Sequence, residues 1–125
     1  MDRVVHFEIP TDDVVRAREF YGSIFGWQLQ PMEDMSYTLV STTAVDDKTH
    51  MPTDPGAING GIMERSERTP HPVITIEVGS IDDSMKQIEA GGGSVVTPRT
   101  DMGGMGWFAY FKDSEGNVLG LWETV

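Results

Sequence analysis

Two stretches of one pattern, Val4 to Trp27 and Val73 to Val96, constrain this chain more than any other feature. Each reads as a strand, a short turn, an amphipathic helix and the entry to a second strand. In the first, Val5, Phe7 and Ile9 alternate with His6 and Glu8, so a half-buried strand sets a histidine and a glutamate side by side on one face. Pro10 is expected to end this strand or to sit at its edge. Thr11, Asp12 and Asp13 are N-cap candidates for a helix over about Val14 to Phe25. Val14, Ala17, Tyr21 and Ile24 form its apolar stripe, widened by Phe20, which predicts Phe20 and Tyr21 packed on the sheet. Gly26 lets the chain turn toward a strand beginning at Trp27.

Ser36 to Ser41 and Ala57 to Glu64 read as further strands, and Gly60-Gly61 marks a bulge or a close approach. Between them Asp46 to Gly56 reads as a long loop. Arg65 to Pro72 is the natural joint between halves. The second half repeats the order: a strand over Pro72 to Val78, then Ser80 capping a helix with Asp83 three residues on. Its stripe is Ile81, Met85 and Ile88. Strands follow at Ser94 to Thr97, Trp107 to Phe111 and Val118 to Trp122, the last two joined by the Asp113 to Asn117 turn. Each half is β-α-β-β-β. The expectation is an α+β fold in one domain over 1–125, with module one at about 1–66 and module two at about 67–125.

Composition narrows the function. The 125 residues contain no cysteine, which excludes disulfides, thiolate metal sites and cysteine nucleophiles. A net charge of −11 lacks the basic footprint that nucleic acid demands. No run approaches the ~20 apolar residues of a membrane span, and no apolar leader follows Met1. A cytoplasmic protein that meets neither membrane nor nucleic acid is expected.

The opening H-F-E-I-P-T-D-D, the later A-R-E-F-Y-G-S-I-F-G-W, the Gly91-Gly92-Gly93 helix end and the closing D-S-E-G-N-V-L-G-L-W together resemble the vicinal oxygen chelate superfamily of glyoxalases, bleomycin resistance proteins and extradiol dioxygenases. Ser114 stands where that family commonly has proline. The resemblance covers nearly the whole chain, in order. It implies two βαβββ modules forming a curved mixed sheet around a cavity, helices outside, and a homodimer. It also implies a divalent metal that polarises substrate oxygens while a carboxylate moves a proton.

The glyoxalase-type metal site draws one ligand from the first and last strands of each module. By that register His6 holds one position. The others fall on Val73, Gly120 and the Gly60–Ile62 step, none of which has a donor side chain. A single histidine does not make a first-row metal site. No metal or other cofactor is therefore expected, with a displaced set of His6, Glu8, His71 and Glu77 as the alternative. The opposite strand parity of Glu123 keeps it from replacing Gly120.

A small-molecule cavity lined by His6, Glu8, Thr75, Glu77 and Trp122 remains, with Trp107 or Tyr110 closing it from the neighbouring strand. Two functions stay open. One is a lyase- or isomerase-like enzyme with Glu8 or Glu77 as general base. The other is a metal-free, bleomycin-resistance-like protein that binds an aromatic or cationic compound through stacking and cation–π contact.

Overall fold

The structure is a computed structural model describing residues 1–125. Its element order is β1 (Arg3–Thr11), α1 (Val14–Phe25), β2 (Gln28–Met32), β3 (Tyr37–Ser41), β4 (Gly60–Glu64), β5 (Val73–Glu77), α2 (Ile81–Ala90), β6 (Ser94–Asp101), β7 (Gly106–Lys112) and β8 (Val118–Thr124). This is α+β with two βαβββ modules. No helix is long and apolar enough to cross a membrane.

The chain divides into two compact units, His6–Pro72 and Val73–Val125, the latter joined by Met1–Val5. In the first unit the strand order is β2-β3-β4-β1. β1 and β4 run parallel, while β2–β3 and β3–β4 are antiparallel. In the second the order is β5-β8-β7-β6, with β5–β8 parallel and β8–β7–β6 antiparallel. One topology is thus used twice.

β1 does not stop at Pro10. It continues to Thr11, with Pro10 opposite Met63. The N–H of Arg65 donates to the carbonyl of Thr11 at 2.9 Å, so residues of Thr11's parity bond to β4. Pro10 has the other parity, and β4 asks no donor of it. Pro31 and Pro98 are accommodated in the same spirit, on β2 and β6, the outer strands of their orders. β6 is longer than the Ser94–Thr97 strand expected. It bends through two register shifts, between Val95 and Thr97 and between Thr97 and Thr100.

Both helices start as the sequence requires. The Asp13 side chain accepts from the Arg16 N–H at 3.0 Å, and the Ser80 hydroxyl oxygen accepts from the Asp83 N–H at 3.2 Å. Gly26 closes α1 in the left-handed conformation, φ 71°. Their packing differs. α2 buries Ile81 and Met85 in a core with Val78, Ala109, Phe111 and Leu121. α1 buries no residue, and Phe20 and Ile24 remain 51% and 57% exposed. The expected packing of Phe20 on the sheet is not made. The aromatic residues at the end of α1 gather on Trp27 instead: Tyr21 stacks on it at 5.1 Å, Phe25 lies at 5.6 Å, and Trp27 meets Phe7 at 5.7 Å.

Candidate functional site

In the first unit β1 carries His6 and Glu8 on one face, as alternation demands. Glu8 is opposite Gly61 of β4, so the direction in which a Gly61 side chain would project lies on that same face. The Tyr37 hydroxyl fills that space: a Cβ placed on Gly61 would collide with it. Tyr37 Oη is also 2.8 Å from His6 Nε2, and the two rings are nearly parallel at 16°. Tyr37 and Glu8 are buried and His6 is half-buried. Burial lowers the His6 pKa below its ordinary value, opposed by the negative charge of Glu8. Burial thus favours the neutral imidazole.

In the second unit Thr75 of β5 pairs with Gly120 of β8 and Glu77 pairs with Trp122. Thr75 is buried, and its Oγ1 would stand 2.7 Å from a Cβ on Gly120. Phe108 and Tyr110 of β7 are the partners of Trp122 and Gly120, so they share the face of Thr75 and Trp122. Their rings meet edge-on at 5.8 Å. Trp107 is opposite Glu123 and faces the other way, packed on the core under α2. The Arg99 guanidinium covers its ring at 3.9 Å. Phe108 joins Trp122, which the sequence reading missed, and Trp107 does not.

Glu77 is held by Arg3 at 3.2 Å and by the Thr124 hydroxyl at 3.3 Å, beside an open groove of about 320 Å³ that also involves Met1 and Asp2. Glu123 works under α2. Its carboxylate accepts from the Ile81 N–H at 2.7 Å and from Arg99 at 2.8 and 3.2 Å. The Arg99 hydrogen bond, then the Ile81 N–H, hold its pKa below the ordinary carboxylate value.

These details bear on the metal that the resemblance implies. Val73 is 1% exposed, Gly120 is backed by Thr75, Gly61 is capped by Tyr37, and His6 Nε2 is engaged by the same tyrosine. His71 precedes β5 and is exposed. No group of three or more His, Asp or Glu side chains is arranged to hold a metal ion. The residues present do not fit the metal.

Known proteins match along the same lines. A bleomycin resistance protein-like N-terminal family model matches residues 3–43. A glyoxylase-like domain-containing protein of Didymella fabae is 31% identical over 117 residues, covering 89% of this chain and 85% of that one. The chain belongs to the glyoxylase-like family of the vicinal oxygen chelate superfamily. Longer relatives in this family include the anthracycline biosynthesis protein DnrV of Streptomyces peucetius, 28% identical over 133 residues. A candidate glyoxylase named CFP32, of Mycobacterium tuberculosis, is 28% identical over 121 residues. The chain aligns over 94% of its own length with both but spans only 45% and 44% of theirs. Among solved structures, methylmalonyl-CoA epimerase of Mycobacterium tuberculosis superposes with a TM-score of 0.64 at 17% identity, covering 98% of this chain and 87% of the epimerase. That likeness shows the glyoxylase-like fold.

Proposed function

We propose that this glyoxylase-like chain is a metal-independent binding protein for a planar aromatic small molecule. The observation that carries the reading is the Tyr37 hydroxyl, which occupies the space of a Gly61 side chain and bonds His6 Nε2 at 2.8 Å. Within the Gly60–Ile62 step, over which the resemblance places one metal ligand, the space of a Gly61 side chain is filled by a hydrogen-bonding group of the protein itself. The aromatic face of Phe108, Tyr110 and Trp122 suits stacking on a planar ring, worth about 1 kcal/mol per ring pair beyond area burial. Two longer relatives named for anthracycline biosynthesis support the same ligand class.

Thermal shift on the purified chain tests the reading. Zn, Ni, Mn and Fe salts should leave Tm unchanged, while a polycyclic aromatic ligand should raise it in proportion to the logarithm of its excess. Stoichiometric metal that is retained through purification and lost in His6→Ala would overturn it.

A catalytic reading keeps one support, the buried Glu8 two residues from His6 on one strand face. Turnover of a carbonyl substrate that Glu8→Gln abolishes without weakening binding would favour it. A second copy of this chain is the proposed occupant of the α1 surface, where Val15, Phe20, Ile24 and Phe25 are more than half exposed. Sedimentation should show a dimer that Ile24→Glu splits.

A further inference from the structure

We propose that the aromatic ligand carries a protonated amine, and that Glu77 is the residue that reads it, beside the Trp122 stacking face. The inference rests on the aromatic-binding reading and adds the charge of the ligand to it. Every residue it uses belongs to the unit formed by Met1–Val5 and Val73–Val125.

The Gly106–Thr124 pair of β7 and β8 brings carboxylate and ring together. A Cβ placed on Gly106 would collide with Cζ2 and Cη2 of Trp122, so the benzo edge of the indole lies against the Gly106 backbone. Gly106 is buried and Trp122 half-buried, which leaves ring surface for a stacked ligand. On the neighbouring strand the Thr124 hydroxyl donates to Glu77 Oε2 at 3.3 Å. The carboxylate therefore leans from β5 onto β8, at the level where the indole crosses onto β7. Adjacent strands lie about 5 Å apart, a step that a ring stacked on Trp122 spans with an amine on a one-carbon arm.

Glu77 has room for such a cation. Its side chain is 34% exposed beside the open groove that Arg3, Val78, Gly79 and Thr124 also line. A carboxylate offers about four lone-pair sites, and Arg3 and Thr124 occupy one each. Arg3 reaches it through a single contact at 3.2 Å from a side chain that is 63% exposed. An exposed pair of this kind is weak and gives way to a competing cation. The incoming amine gains a charge-assisted hydrogen bond to Glu77, and the negative face of the indole attracts the same charge. Arg3 is in this account a competitor for Glu77 and not a ligand contact.

The test titrates three probes of one ring plan into the intact chain: 9-aminomethylanthracene, 9-hydroxymethylanthracene and anthracene-9-carboxylate. The wild type should bind the amine about tenfold more tightly than the alcohol, the worth of one charge-assisted hydrogen bond in a partly wet site, and the carboxylate least. Glu77→Gln should bring amine and alcohol to within about twofold while leaving the alcohol's own affinity unchanged. Arg3→Ala removes the competitor and should tighten the amine about threefold. Glu115→Gln removes the same charge from the Asp113–Asn117 turn, at the opposite end of β7 and β8, and should leave the preference intact. Circular dichroism checks that the variants remain folded. Equal affinity of the wild type for amine and alcohol, tightest binding of the carboxylate, or a preference that survives Glu77→Gln overturns the inference and leaves the aromatic-binding reading standing. Failure of all three probes to bind overturns the two together.

Discussion

α1 and α2 hold the same place in their modules and start from equivalent caps, yet they are fixed by different means. α2 drives Ile81 and Met85 into a core, and its first N–H is held by Glu123 from the far end of the chain. α1 buries nothing, and its order comes from a cap and from rings stacked on Trp27. Two strand glycines, one in each module, differ in the same sense. Gly61 is covered by a long, rigid tyrosine and Gly120 by a short threonine. A repeated topology therefore sets where elements go without setting how tightly each is held.

The sharpest way to break this comparison is in α2. Ile81→Ala should cost about 4 kcal/mol, since Ile81 is fully enclosed. The counterpart Val14→Ala in α1 should cost far less, as read by urea unfolding. Next come the glycines. Gly61→Ala must displace the Tyr37 hydroxyl and should cost about 3 kcal/mol, while Gly120→Ala, which displaces only Thr75 Oγ1, should cost about 1 kcal/mol. Equal costs would mean that the two fillings are mechanically alike.

Acid probes the Glu123 tie. Its folded pKa lies below the ordinary value of 4.5, so its contribution is complete above that pH and is lost as pH falls through the folded value. Hydrogen exchange of α2 amides should accelerate over that window in the wild type. Glu123→Gln should remove the step and leave α1 exchange unaltered. The smallest effect belongs to the surface of α1: Val15→Ser, at a residue 60% exposed, should change the stability of the monomer by less than about 0.5 kcal/mol.

The element order was legible in the sequence because apolar period, caps and turn residues agreed at every step. Gly60-Gly61 marked a bulge or a close approach, and the structure has the close approach. What approached could not be read, since Tyr37 lies in a strand where alternation gives a face but no partner. The exposure of α1 was hidden for a related reason: an apolar stripe says that a surface wants cover, and not whether this chain supplies it. Phe108 rather than Trp107 shares the face of Trp122 because adjacent strand residues point to opposite faces, and the pairing that settles the parity, Phe108 with Trp122, is a property of the folded sheet.

The tyrosine over Gly61 also bears on how this chain can change over evolutionary time. A carboxylate at position 61 arising alone would collide with Tyr37, and a small residue at position 37 arising alone would leave a void beside His6. Each single step is penalised although the double step is not, so the two positions are coupled in the sense of a mutant cycle. A lineage with this pairing would find any side chain at position 61 closed to one substitution at a time.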